Sequence, residues 1–443
     1  MREVKYWLRA PIGAVAIAAA GAFFTAMPAS VSLAAPAEDT KLSVVAADGD
    51  TAPTSGSPTY NGLDEPMVDE KGNVVFTSSL SNGFAGVFYK PKKKSVRVIS
   101  STDVAIPGIG TPDFYDGPVM SSNGIIAFVA GDTTGVSGVT AAVMRRRPHQ
   151  ALKVVAKTGD VAPGTGGAVF DGFDDLSINE HGDVAFIAIY TSDGGSTSKT
   201  GAFLARNGGI TAVLLNGDTL PGTGGGIFVG TETGDIDGPW LNEKGDVAFE
   251  ADFISGATAF EGSLFMKRRG KPLEAFILNG DSVPAPVNGT IDGIHVGRPA
   301  LSDDGTTIAF TLAVTGGSVE NVVGTKRLGG SIKLCAINGD PAPDTIGTID
   351  GPSAASFAGG TVLFHADILG DVSNSGGVFT CPKRGPLREV VLTSDTNPAG
   401  TWGNVPEEES LSENWSVFQS DGGTPVAILL TKLPGKEPKH DKN

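Results

Sequence analysis

The chain has 443 residues, 40% of them hydrophobic, and a formal net charge of −16, so it is long enough for a sizeable core and too acidic to favour nucleic acid or anionic lipid. Its 62 glycines and 28 prolines, 7% aromatic content and lack of any long stretch with helical periodicity argue against a helical bundle and for a turn-rich all-β protein. Two cysteines, Cys335 and Cys381, are too few for a disulfide framework; as a pair they read equally as one bridge or two buried thiols.

Residues 1–34 read as a signal peptide: Arg2, Lys5 and Arg9 form a basic start, residues 11–27 are an apolar run, and Ser32 to Ala34 supply small residues for cleavage. The same pattern also suits an uncleaved N-terminal membrane anchor. No cysteine follows the apolar run to carry a lipid, and no segment after Ala34 is long and apolar enough to span a bilayer. The expected location is secreted or periplasmic, and loss of the signal leaves a formal charge of −18. Residues 35–41 read as a linker, 42–433 as a repeat region and 434–443 as a disordered tail.

From residue 69 onward one phrase recurs: "DEKGNVVF" ending at Phe76, "SSNGIIAF" at Phe128, "NEHGDVAF" at Phe186, "NEKGDVAF" at Phe249, "SDDGTTIAF" at Phe310, "FAGGTVLF" at Phe364 and "LSENWSVF" at Phe418. A second phrase keeps the same beat, with an aspartate at Asp50, Asp103, Asp160, Asp218, Asp281, Asp340 and Asp395 followed by a proline, as in "TGDVAP" and "NGDTLP". Within one unit, Asn179 to Gly182 makes a tight reversal in which Gly182 takes a positive φ. "FDDLSI" precedes it as one strand; "DVAFIAIY", "AFLAR" and "ITAVLLNGD" follow as three more.

Four antiparallel strands in about 58 residues match a β-propeller blade with loop insertions; a β-helix repeat is shorter, and an immunoglobulin-like sandwich runs to about 100 residues. The mature chain opens with a lone last strand (residues 42–47), and its last unit stops after a third strand. Pairing these ends closes a seven-bladed ring and covers both sheet edges.

These repeats resemble the NxxGxxAF tandem-repeat family of exported bacterial proteins. "NEHGDVAF" and "NEKGDVAF" carry its signature in full, and "SDDGTTIAF" is also similar to the repeat of periplasmic TolB-type propellers. The resemblance implies export and a repeat architecture and supplies no substrate. Members of that family carry C-terminal anchors, and the tail "KLPGKEPKHDKN" does not match one.

Candidate ligand-binding residues are Asp160, Asp218, Asp281 and Asp340 of the second phrase, together with His295. Each Asp follows a last strand and precedes a connection expected near the central channel, where carboxylates would suit a hard cation such as calcium or the hydroxyls of a sugar. The competing reading is that each Asp caps its own turn while the proline sets the next φ. A further aspartate recurs in Asp-Gly pairs at Asp116, Asp171, Asp237, Asp292 and Asp350, with Asn61 in the matching place of the first unit, and clustered carboxylates occur at Asp174–Asp175 and Asp235–Asp237. Trp402 with the acidic residues 406–409 breaks the repeat and reads as a contact surface or a solvated loop.

No GxSxG, HExxH or CxxC motif occurs, so no catalytic residue is assigned. The expected protein is an exported, non-catalytic propeller acting as a monomeric binding or interaction module for a protein or glycan, without a resident cofactor unless calcium. The alternative is a propeller-fold hydrolase or lyase acting on a sugar or lactone, with a divalent cation in the channel.

Overall fold

Copies of the recurring phrase close a hairpin with a side chain of their own, except the sixth, whose turn Phe357-Ala358-Gly359-Gly360 has no polar side chain. Asn179 Oδ1 accepts hydrogen bonds from the backbone N–H of His181 and Asp183, at 3.1 and 3.0 Å. Asp69 does the same for Lys71 and Asn73 at 2.9 and 2.8 Å. The glycine of the phrase takes φ 77° at Gly182 and 80° at Gly245, a region costly for residues with a Cβ. It must also be bare: a Cβ on Gly245 would stand 1.6 Å from Nη2 of Arg206 in the preceding unit. That arginine pairs with Asp183 at 2.7 Å and donates to the Gly245 carbonyl at 3.2 Å, so one phrase fastens its unit to the next.

Past the turn the chain enters a strand buried on both faces, and its phenylalanine packs against a phenylalanine of the next strand. Phe186 and Phe203 are directly opposite and stacked, with ring centroids 5.8 Å apart; Phe249 and Phe265 repeat this at 6.1 Å. All four are fully buried, each contributing about 1.5–3 kcal/mol of hydrophobic stabilisation.

The computed structural model describes residues 42–433 apart from 107, 134–139, 192–197, 231–235, 296–299, 401, 403–408, 413 and 421–425. The expected signal peptide, linker and C-terminal tail lie outside the described residues, as do Asp235 and most of the acidic stretch 406–409. The described residues form seven antiparallel sheets, six of them four-stranded in the order first, second, third, fourth strand and one five-stranded, with no helix among them. None of the described residues forms a helix long and apolar enough to cross a membrane.

The ring closes as expected. The N-terminal strand Ser43–Ala47 pairs antiparallel with Ala427–Lys432, in register Ser43 to Leu430 and Ala47 to Ala427, and so becomes the fourth strand of the seventh blade. Seven apolar cores follow, each shared by two adjacent blades. The closing one joins Val45, Val417 and Ile428 to Tyr60, Phe76 and Phe88 of the first blade. No blade buries both of its faces without its neighbours, which is why the sequence must repeat.

Two details go beyond the repeat. Cys335 and Cys381 are disulfide-bonded with Cα atoms 6.0 Å apart, tying the fifth blade to the sixth. In the fourth blade the first strand is split into Ile227–Phe228 and Ile236–Leu241, both paired with Val247–Ser255, so that sheet has five strands. The third blade runs the same course in one strand, Val169–Ile178. The step from Phe186 to Phe249, 63 residues and the longest in the chain, places its extra residues in this break.

Candidate functional site

The aspartates of the second phrase lie where the chain passes from one blade to the next. The Oδ2 atoms of Asp160, Asp218, Asp281 and Asp340 accept the backbone N–H three residues back, at 3.1, 2.8, 3.0 and 3.0 Å. Asp50 and Asp395 repeat the bond, and Asp103 instead accepts the hydroxyl of Ser101. The Gly-Asp pair also bonds to the start of the next blade: Gly159 N–H donates to the Phe170 carbonyl and Phe170 N–H to the Asp160 carbonyl, both at 2.9 Å. These carboxylates are thus engaged in holding the joint between an outer strand and an inner one.

The first strands of all seven blades surround one axis. At their far end, where the hairpin turns sit, residues from every blade line a cavity of about 320 Å³. Its mouth carries Glu70, Glu180, Glu243 and Asp303, the second position of the recurring phrase. Both carboxylate oxygens of Glu243 accept the Glu180 N–H, at 3.0 and 2.9 Å, and the Ser122 hydroxyl donates to Glu180 Oε1. Burial raises the Glu243 carboxyl above its ordinary value, against the lowering effect of that backbone bond.

One level of the paired first and second strands is chemically distinct. The residue after each anchoring phenylalanine faces a first-strand residue: Thr77 with Asp64, Val129 with Asp116, Ile187 with Asp174, Glu250 with Asp237, Thr311 with His295 and His365 with Ser353. Of the Asp-Gly aspartates, only Asp116 and Asp237 stand at this level. Asp171 and Asp292 fall at β-bulges, and Asp350 sits across from Asp367. Because a bulge adds a residue to one strand only, no constant offset from the phrase finds this level in sequence. His295 belongs to it and is exposed; the turn aspartates do not.

Asp237 and Glu250 are carboxyls directly opposite on adjacent strands, an arrangement that places Cβ atoms about 4.5–5.5 Å apart and is destabilising when both are ionised. Burial raises Asp237 above the usual carboxylate value; His295 lowers it and Asp174 raises it further. Glu250 is raised well above its ordinary value, chiefly by burial and then by the negative charges of Asp237 and Asp252. Its Oε2 is shut off from solvent with no hydrogen-bond partner. The other carboxylate oxygen lies against Gly262 and the fifth blade: a Cβ on Gly262 would meet Ile294 N at 2.8 Å and Glu250 Oε1 at 3.0 Å. Asp252 accepts the Gly262 N–H at 2.7 Å. Among the described residues no group of three or more His, Cys, Asp or Glu side chains is placed to hold a metal ion.

Sequence reasoning passed over Glu250. Its signal lies one residue beyond the phrase, where the seven copies read Thr77, Val129, Ile187, Glu250, Thr311, His365 and Gln419. Only the fourth carries an acid.

Among solved structures, an oligogalacturonate lyase in complex with manganese is similar at 12% identity and TM-score 0.50, covering 89% of this chain and 98% of its own. An acylaminoacyl peptidase from Pyrococcus horikoshii is 12% identical at TM-score 0.48, covering 84% of this chain and 50% of its own. The Dos1 propeller is 9% identical at TM-score 0.40, over 88% and 83%. The chain thus spans about half the length of the acylaminoacyl peptidases it matches, 52% in one and 50% in the other. At these identities the likeness is one of fold. No curated protein matches the sequence. Residues 12–398 match the family of unknown function DUF7453, and the chain belongs to that family.

Proposed function

We propose that this protein is an exported binding module whose ligand enters the propeller channel and sits where the fourth and fifth blades meet, against Asp237, Glu250 and His295. The orphaned Oε2 of Glu250 carries this reading, because a buried polar atom without a partner costs about 1–3 kcal/mol and a protein that tolerates it gains something elsewhere. Trp240 supports it: its Nε1–H is also buried without a partner, on the same first strand as Asp237 and on the cavity wall. The basic-flanked apolar N-terminus and the likeness to NxxGxxAF repeats support export. In this reading Asp160, Asp218, Asp281 and Asp340 serve their turns.

One observation favours a second reading, a hydrolase or lyase acting on a sugar. Two facing carboxyls in unequal environments are the arrangement that divides acid and base roles. Turnover of a glycoside or uronide panel that disappears in Glu250→Gln would select it.

The binding reading is tested by screening glycan and peptide arrays with the wild-type protein, Asp237→Asn and Asp160→Asn. Asp237→Asn is expected to weaken retention of any hit at least tenfold at an unchanged or raised Tm. Asp160→Asn is expected to lower Tm and leave retention intact. The reverse pattern moves the site to the turns and removes the channel from consideration.

A further inference from the structure

Away from the channel, the joint between the first and second blades departs from the others. At Asp50, Asp160, Asp218, Asp281, Asp340 and Asp395 the backbone N–H donates to the carbonyl three residues back, at 3.0 or 3.1 Å, and the carboxylate accepts the N–H of that same residue. After the first blade the backbone bond is made by Val104, to the Ser101 carbonyl at 3.0 Å. A valine thus stands in the aspartate's structural place, 56% exposed and unable to accept the second bond. Asp103 falls one residue early.

Val104 borders a groove of about 270 Å³ between the two blades, together with Val98 of the outer strand Arg97–Ser101 and with Met144, Leu152 and Val154 of the second blade. Val98 and Val154 are exposed as well, at 37% and 39%. At the next two joints the connecting loop lies on the fourth strand of the following blade: a Cβ on Gly164 would stand 3.1 Å from Leu215, and one on Gly222 3.0 Å from Ala275. Gly108 follows the joint's proline in the same way. A Cβ there would meet, among the described residues, Lys157 Nζ alone, at 3.9 Å. The loop that covers this ground elsewhere leaves it open here, and an apolar groove open to water is ground that a partner covers.

One end of the groove is basic. Arg97 is directly across from Tyr89 and shares its face of the first blade; Arg146 lies two residues past Met144 on one strand and shares its face of the second. Both guanidinium groups act on the Tyr89 phenol, which packs against the core joining these blades. Arg146 donates to the Gln150 carbonyl, and among the described residues neither arginine forms an ion pair. The nearby acids are engaged: Asp69 accepts N–H groups of its own hairpin, and Asp103 accepts the Ser101 hydroxyl. In a chain of formal charge −16, this end complements an anion.

We propose that this groove docks an extended segment of a partner protein, with an apolar side chain against Val104, Leu152 and Val154 and a carboxylate between Arg97 and Arg146. A fatty acid would meet the same side chains and leave the outer edge of Arg97–Ser101 unused. That strand ends its sheet, and a peptide backbone is the ligand that pairs with such an edge. Guanidinium groups on both walls suit a bidentate hold on an Asp or Glu side chain, which fixes the register of the docked segment.

The test is selection of a phage-displayed library of random dodecapeptides on the full chain, with the enriched peptides measured by fluorescence polarisation. The expected peptides combine apolar residues with Asp or Glu. Their affinity should fall about tenfold in Val104→Asp and in Arg97→Glu, weaken with added salt, and stay unchanged in Asp237→Asn. Val104→Asp supplies the carboxylate that the other six joints carry, so it is expected to keep or raise Tm while losing the peptide. Should it unfold, Arg97→Glu and Val154→Asp decide. The proposal is overturned if no peptide is enriched, if the enriched peptides are basic, or if these groove variants bind as well as wild type. Displacement of every peptide by laurate assigns the groove to an acyl chain and overturns it; so does a dimer of wild-type chains that Val104→Asp dissociates. Peptides lost in Asp237→Asn and retained in Val104→Asp overturn it and support the channel site.

Discussion

The third and fourth blades spell the same phrase, Asn-Glu-x-Gly-Asp-Val-Ala-Phe, and then part company. Through Phe186 and Phe249 the two are built alike: the Asn closes the hairpin, the Gly takes a positive φ, and the two phenylalanines stack on partners at 5.8 and 6.1 Å. One residue later the third blade has Ile187, fully buried in the core between the third and fourth blades, across from Asp174. The fourth has Glu250, with an unpartnered oxygen, across from Asp237 and beside a first strand broken in two. The shared part answers to stability and is repeated because every blade needs it. In the binding reading proposed above, the divergent part gives up stability at that position for the ligand.

The comparison can be attacked where the blades agree. Phe186→Ala and Phe249→Ala should each cost about 3–5 kcal/mol, and by similar amounts, because each empties a fully buried ring position stacked on a partner. Urea unfolding monitored by tryptophan fluorescence checks this; a difference of more than about 1.5 kcal/mol between the two would mean that the blades are not equivalent up to the phrase's end.

Exchanging the residues where they differ sharpens it. Ile187→Glu should destabilise by about 3 kcal/mol, since it places a second acid opposite Asp174 in an apolar core. Glu250→Ile should raise the unfolding midpoint at pH 7, because replacing a poorly compensated buried acid by an apolar side chain of similar size removes its desolvation penalty. If both substitutions destabilise alike, Glu250 is satisfied in its setting and the contrast dissolves.

The smallest effect is the dependence on pH. The folded-state value of Glu250 lies above its unfolded value, near 4.3, so its contribution is fully present below about pH 4.3 and is lost as pH rises through the folded value. Thermal melts of wild type and Glu250→Gln should therefore nearly coincide in acid and separate toward pH 8, with the variant the more stable. Curves that run parallel from pH 4 to pH 8 would show that Glu250 is an ordinary exposed acid.

Much of this was legible in the chain before any fold was known. Phrase periodicity, the alternation of turns and apolar runs, and the complementary ends predict seven blades closed by a terminal strand, and Val45 and Ala46 lie in the closing core. The turn role of Asp160 and its equivalents was one of two readings, and local hydrogen bonds three residues long made it visible in sequence. The disulfide was open, because two cysteines 46 residues apart say nothing about whether their strands are neighbours.

Sequence by itself determined what is repeated: local turn chemistry and strand burial act over a few residues, so each copy writes its own requirement. Only the tertiary structure decided which side chains share a level around the axis. β-Bulges shift each inner strand by its own amount, so Asp174 and His295 replace Asp171 and Asp292 beside Asp237. The surroundings of Glu250 are likewise set by Gly262 on the third strand of its own blade and by Ile294 of the next blade, and a desolvation energy that depends on atoms distant in the chain is not encoded in the residue's immediate sequence.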